Sequence, residues 1–245
     1  MYNEYFLQII GSGDAFHNGA KLHTSFYYHT PRHNFLIDCG ATTLLGLKKQ
    51  NISTNDIDTI IISHFHGDHF GGLPFLLLEM SKLEQRKKPL QIVTPKSEHN
   101  KIKQLFTLLY PGAQDTLDKM DIKYLNFEKQ LPLGDFIIES FEVNHASNLP
   151  CYGFAILDDK KKLAFTGDTE WCENIIPLSK DANLFLCECN FYDQNIKGHL
   201  NYVQIKENIH VIRSAKILLT HAGISMLERK NIDLEIANDG NIYFI

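Results

Sequence analysis

Four polar residues of this chain share one kind of address. His64, His145, Asp168 and His221 each stand at or just past the end of a short apolar run, at 59–63, 136–143, 162–166 and 216–220. Runs of this length rich in Ile, Val, Leu and Phe read as buried strands. In layered α/β proteins the ends of such strands are where binding sites form. Further strands are expected at 5–10, 25–29, 34–38, 90–93, 122–127, 153–158, 184–189 and 242–245. Helices are expected at 42–49, from Gly71 through about Lys87, at 97–110 and at 202–213. Asp158-Asp159-Lys160 and Asn238-Asp239-Gly240 read as turns into following strands.

The chain has 245 residues, 44% of them hydrophobic and 22% charged, enough for a sizeable core and unlike a disordered chain. No repeat or linker divides it, so one domain over 1–245 is expected. The net charge of -5 weighs against a protein that rides on the nucleic-acid backbone. Five cysteines, an odd number with no framework spacing, suggest a reducing compartment. Glu4 stands where a signal peptide needs positive charge, and no stretch is long enough to span a membrane. The expectation is a cytoplasmic protein with no membrane partner.

The chemistry concentrates in His64-Phe65-His66-Gly67-Asp68-His69. Histidine and carboxylate suit zinc, manganese or iron. In a tight loop, His64 and His66 can address one ion while Asp68 and His69 address a second. This His-x-His-x-Asp-His run resembles the metallo-β-lactamase superfamily, and the resemblance extends along the chain. Residues 35–40 resemble the family's early strand ending in Asp-x-Gly. His145 matches its third metal motif, Gly167-Asp168 its bridging carboxylate and His221 its last ligand. The resemblance implies an α/β fold, the four-layer αββα sandwich, and a dinuclear centre. His64, His66 and His145 would hold one ion, Asp68, His69 and His221 the other, with Asp168 between them. The cofactors implied are two divalent ions, Zn2+ first, with Mn2+ or iron as alternatives. Asp168 replaces the cysteine common in lactamases, which favours a bridged pair.

Two ions of about +4, less two aspartates and a bridging hydroxide, leave about +1, which suits an anionic substrate. Gly198-His199-Leu200-Asn201 resembles the extra histidine motif of the ribonuclease Z and phosphodiesterase branch. That likeness gives His199 a phosphate contact and a proton for the leaving oxygen, and makes Asp68 the residue that orients the attacking hydroxide. The plain alternative for His199 is a loop residue ahead of a helix capped by Asn201. The opening Gly11-Ser12-Gly13-Asp14-Ala15 also resembles the branch. The basic, Gly-Pro-bearing arm that grasps tRNA is missing from the sequence. A small phosphodiester, such as a cyclic nucleotide or short nucleotide, is therefore favoured as substrate over tRNA or other nucleic acid. A thioester, lactone or lactam hydrolase and a non-catalytic metal-stabilised module are the rivals, and a homodimer is suggested by analogy. His17, His23, Glu188 and Trp171 carry no assigned role. Arg86-Lys87-Lys88 reads as a solvated helix end.

Overall fold

The structure is a computed structural model, and it describes residues 4–96, 98–113 and 115–245. The strands in chain order are β1 (Phe6–Gly11), β2 (Ser25–His29), β3 (Asn34–Ile37), β4 (Thr59–Ile61), β5 (Leu90–Thr94), β6 (Ile122–Asn126) and β7 (Gln130–Leu133). Then follow β8 (Phe136–Glu142), β9 (Tyr152–Leu157), β10 (Lys162–Phe165), β11 (Leu184–Glu188), β12 (Ile217–Thr220), β13 (Glu235–Ile236) and β14 (Ile242–Phe244). The helices are α1 (Thr43–Lys49), α2 (Gly67–Phe70), α3 (Leu73–Lys82), α4 (Asn100–Leu109), α5 (Asp115–Asp118), α6 (Ile175–Ser179), α7 (Tyr202–Glu207) and α8 (Ile224–Leu227).

Two compact units result. The first comprises residues 1–11, 22–126 and 239–244, and the second 12–21, 127–238 and 245. The first holds the sheet β14-β1-β2-β3-β4-β5-β6. Its pairings are antiparallel from β14 to β3 and parallel from β3 to β6. The second holds the sheet β7-β8-β9-β10-β11-β12-β13. It is antiparallel from β7 to β10 and parallel from there to β13. Both sheets thus repeat one succession, although no internal repeat is legible in the sequence.

In the first unit, Leu36, Ile60, Ile62 and Ile92 from the sheet join Leu73, Leu76, Leu77 and Met80 of α3 in one buried cluster. A mostly apolar helix preceded by a wholly buried strand has no other way to remove this surface from water. In the second unit, Ala155, Ala164, Phe185, Cys187 and Leu219 pack with Ile175, Leu178, Tyr202 and Ile205. All five cysteines are free, in line with the expected lack of a disulfide framework. Among the described residues no helix is long and apolar enough to cross a membrane.

Three helices are shorter than the sequence suggests. α3 ends at Lys82 rather than near Lys87. Gln85 has φ +47° and turns Arg86 inward. The Arg86 guanidinium is buried and donates to the carbonyls of Ile57 and Pro89 at 2.8 Å and of Lys88 at 3.0 Å. It is a carbonyl clamp rather than part of a solvated helix end. α4 runs from Asn100, and Ser97, where that helix was expected to begin, lies outside the described residues. α7 ends at Glu207 because Asn208 folds its amide back onto the Gln204 carbonyl. Its N-terminus is the capping box Asn201–Gln204, so Asn201 does cap the helix.

Candidate metal centre

In the first unit, the loop after β4 carries His64 and His66, and Asp68 and His69 lie in the one-turn helix α2 that follows, rather than in the tight loop expected for all four. The rings of His64 and His66 stand 4.8 Å apart and those of His64 and His69 4.2 Å apart. Their orientations are fixed from behind. Ser63 Oγ lies 3.1 Å from His64 Nδ1. His69 Nδ1 donates to Asp38 Oδ2 at 2.7 Å. Asp38 also accepts from the Ser63 amide at 2.7 Å and from the Ser63 hydroxyl at 2.8 Å. This carboxyl is completely buried. Burial pushes its pKa up, and His69 and Ser63 pull it back. Asp38 sits in the left-handed region, at φ +55°, where Asn and Asp are tolerated better than other side chains.

Close backbone approach shapes the same loop. A Cβ at Gly40 would lie 2.0 Å from the Asp68 carbonyl, and one at Gly72 would lie 2.0 Å from the Gly40 carbonyl. Only glycine lets the end of β3 and the start of α3 close on the segment that carries these histidines.

In the second unit, His145 follows β8, Asp168 follows β10 and His221 follows β12. His145 Nδ1 donates to the Gly198 carbonyl at 2.7 Å, so its Nε2 is the atom left for coordination. That Nε2 lies 3.8 Å from Asp168 Oδ2, and His221 Nε2 lies 3.3 Å from the same oxygen. His221 has φ +58° and is pinned at both ends of its peptide. Its N–H donates to the Ser12 carbonyl at 3.0 Å, and Asn190 Nδ2 donates to its carbonyl at 3.0 Å. A left-handed non-glycine residue costs ~1–3 kcal/mol, and such strain collects at functional sites.

These spacings test whether metal fits. Ligands at ~2.0–2.1 Å from a tetrahedral ion lie about 3.3–3.4 Å from one another. His221–Asp168 has that separation, as does His69 Nε2–Asp68 Oδ2 at 3.2 Å in the first unit. Each histidine whose Nδ1 is engaged offers Nε2. The donor chemistry and the spacing both fit divalent ions.

His199 comes into the second unit's cluster. His145, Asp168 and His199 each offer an atom within 4.8 Å of the others. The His199 ring is stacked with that of His221 at 5.7 Å and meets that of His145 at 4.8 Å. What holds it is a residue with no role assigned from the sequence. Glu188 ends β11 fully buried and accepts a hydrogen bond from His199 Nδ1 with one oxygen and from the Leu200 amide with the other. Burial pushes the Glu188 carboxyl up to about 7, against the pull of His199 and the Leu200 amide, with the Asp168 charge adding to the rise. Glu170 fastens the preceding residue, accepting from the Gly198 amide at 2.7 Å. A lone acid inside the apolar run 184–189 was the available signal for Glu188.

Four of the other histidines take structural partners. His17 Nδ1 bonds the Lys21 carbonyl at 2.8 Å, His33 Nε2 the Thr59 hydroxyl at 2.8 Å, and His29 and His99 stack on Phe6 and Tyr124.

The comparisons with known proteins agree with this geometry. The family model described as anti-Pycsar protein Apyc1 matches residues 5–244. The probable metallo-hydrolase YhfI of Bacillus subtilis (strain 168) is 27% identical over 221 residues, covering 87% of this chain and 85% of that protein. The ribonuclease Z of Pyrococcus abyssi is 28% identical over 243 residues, covering 77% and 76%. The crystal structure of YhfI, described as a metallo-β-lactamase fold protein, matches with a TM-score of 0.78 at 22% identity, over 98% of this chain and 99% of that one. That of human tRNase Z, short form, matches with a TM-score of 0.78 at 20% identity, over 97% and 98%. The two mixed sheets with their helices are therefore those of the αββα metallo-β-lactamase fold, and the chain belongs to the anti-Pycsar protein Apyc1 family, among the metallo-hydrolases of that superfamily.

Proposed function

We propose that this protein hydrolyses a small phosphodiester, a cyclic nucleotide or short nucleotide, at a dinuclear centre. The observation that carries the reading is His199, held by the buried Glu188 within 4.8 Å of the donor atoms of His145 and Asp168. By motif order His64, His66 and His145 serve one ion, Asp68, His69 and His221 the other, and Asp168 both. Divalent ions there, Zn2+ by preference, would polarise a phosphoryl oxygen and bring the pKa of a water toward ~7. Asp68 orients the attacking water and accepts its hydrogen bond. His199, with Nδ1–H committed to Glu188, turns Nε2 toward the phosphate and delivers a proton to the leaving oxygen.

The relatives named ribonuclease Z support phosphodiester chemistry. The net charge of -5 favours a small substrate over tRNA. The whole of 1–245 is read as one hydrolase domain acting in the cytoplasm.

The test is metal analysis of protein purified without chelator, followed by turnover of bis-(p-nitrophenyl) phosphate, cyclic nucleotides and thioesters. The expected result is two ions per chain and phosphodiester turnover that falls at least a hundredfold in His199→Ala with both ions retained. Thioester turnover indifferent to His199→Ala would establish a carboxylic-type hydrolase instead. Metal binding without any turnover would establish a binding module.

A further inference from the structure

A concavity of about 320 Å³ lies in the second unit, walled by Val143, Asn144, His145, Ala146, Ser147, Glu170 and Lys197. Its chemistry is uneven in a telling way. Among the described residues nothing engages the exposed Asn144 side-chain amide, Ser147 hydroxyl or Lys197 ammonium. By contrast, the backbone behind them is fixed. The Asn144 amide donates to Thr169 Oγ1 at 3.1 Å, and the Asn144 carbonyl accepts from the Glu170 amide at 2.7 Å. Glu170 Oε1 holds the Gly198 amide, and Gly198 in turn holds His145. Uncommitted polar side chains thus stand on a rigid frame, beside a residue expected to bind metal.

From this geometry we infer that the pocket receives the nucleoside part of the substrate, its sugar hydroxyls and base edge, and sets selectivity for it. The inference rests on the phosphodiesterase reading. Charge excludes a further phosphate as occupant, because the Glu170 carboxylate faces the same space as Lys197. Donors from Lys197, Asn144 and Ser147 together with acceptors from Glu170, Asn144 and Ser147 match a neutral group that both donates and accepts. The volume is at the low end of the ~300–1,000 Å³ range of small-molecule sites, which suits one nucleoside and not an oligonucleotide. Asn144, Ser147 and Lys197 are positioning residues for substrate and take no part in proton transfer.

The experiment compares two substrates in the metal-replete protein, a 3′,5′-cyclic mononucleotide and bis-(p-nitrophenyl) phosphate, which has no nucleoside. In Asn144→Ala and Lys197→Ala the ratio of kcat/KM between them should fall about tenfold against the nucleotide, through KM rather than kcat, with metal content unchanged. A ratio within twofold of wild type in both variants would overturn the inference. If neither substrate is turned over, the phosphodiesterase reading fails separately. Calorimetry with the cyclic mononucleotide then reads the pocket directly. Binding weakened about tenfold in the two variants would support the inference, and absent or unaltered binding would overturn it.

Discussion

Replacing Glu188 by glutamine isolates the charge behind His199. Glutamine keeps the shape of the side chain, so the Leu200 amide retains an oxygen to donate to and no cavity opens in β11. What disappears is the carboxylate that accepts from His199 Nδ1, present in full above the Glu188 value of about 7, where the comparison is made. A hydrogen bond to a charged group contributes ~1.5–3 kcal/mol, more than a neutral one. Glu188 is wholly buried, so water does not screen the loss. At about 1.4 kcal/mol per tenfold, Glu188→Gln should lower kcat roughly 10–100-fold. The assay is kcat on bis-(p-nitrophenyl) phosphate, with metal content measured in parallel. Turnover within twofold of wild type would refute the role given to the pair. Loss of a metal ion would show that Glu188 holds the centre rather than the donor.

Asp38→Asn keeps a side chain that tolerates the left-handed backbone but weakens the hold on His69 Nδ1. Metal affinity should fall 10–100-fold, read by competition with a chromophoric chelator. Gly198→Ala places a Cβ 3.0 Å from His145 Nδ1 at a residue with φ +88°. The melting temperature should drop by the equivalent of ~1–3 kcal/mol, with weaker metal retention. His33 is held below its ordinary 6.5 by burial, with Lys88 adding to the depression and Asp58 opposing it. Its contribution to stability is complete above 6.5 and is lost as pH falls through the folded-state value. Urea denaturation between pH 5 and 7 should therefore show a flatter stability profile in His33→Gln, and an unaltered slope would contradict the assignment.

The residues gathered at the candidate centre were legible because His64, His145, Asp168 and His221 follow apolar runs that read as strands, although β8, ahead of His145, is only partly buried, and because histidine and aspartate at such an edge have few structural uses. Their supports were not. Asp38 and His69 are 31 positions apart, and Glu188 and His199 are 11 apart across a change of direction. Local patterning carries no information about such pairs. α5, α6 and α8 have four or five residues, too few for a helical period to register. β7 was hidden by Pro132, which a central strand would reject. It is tolerated because β7 lies at the edge of its sheet. Arg86 misled because a basic run reads as solvated until carbonyls are seen around one member.

The shared succession of the two sheets bears on how the centre comes into being. The antiparallel pairs β2–β3, β7–β8, β8–β9 and β9–β10 join strands that are neighbours in the chain, and such pairings close quickly. The parallel pairs β3–β4, β10–β11 and β11–β12 must wait for crossovers that first give up loop entropy. His64, Asp168 and His221 all follow strands engaged in these slower pairings. These three residues are thus expected to be among the last organised during folding, later than His145 after β8, with hairpin amides protected earlier than those of β4 and β12 in pulse-labelling hydrogen exchange. An ion that binds only the finished arrangement then acts as a latch on the slowest step, raising the barrier to unfolding more than it speeds folding.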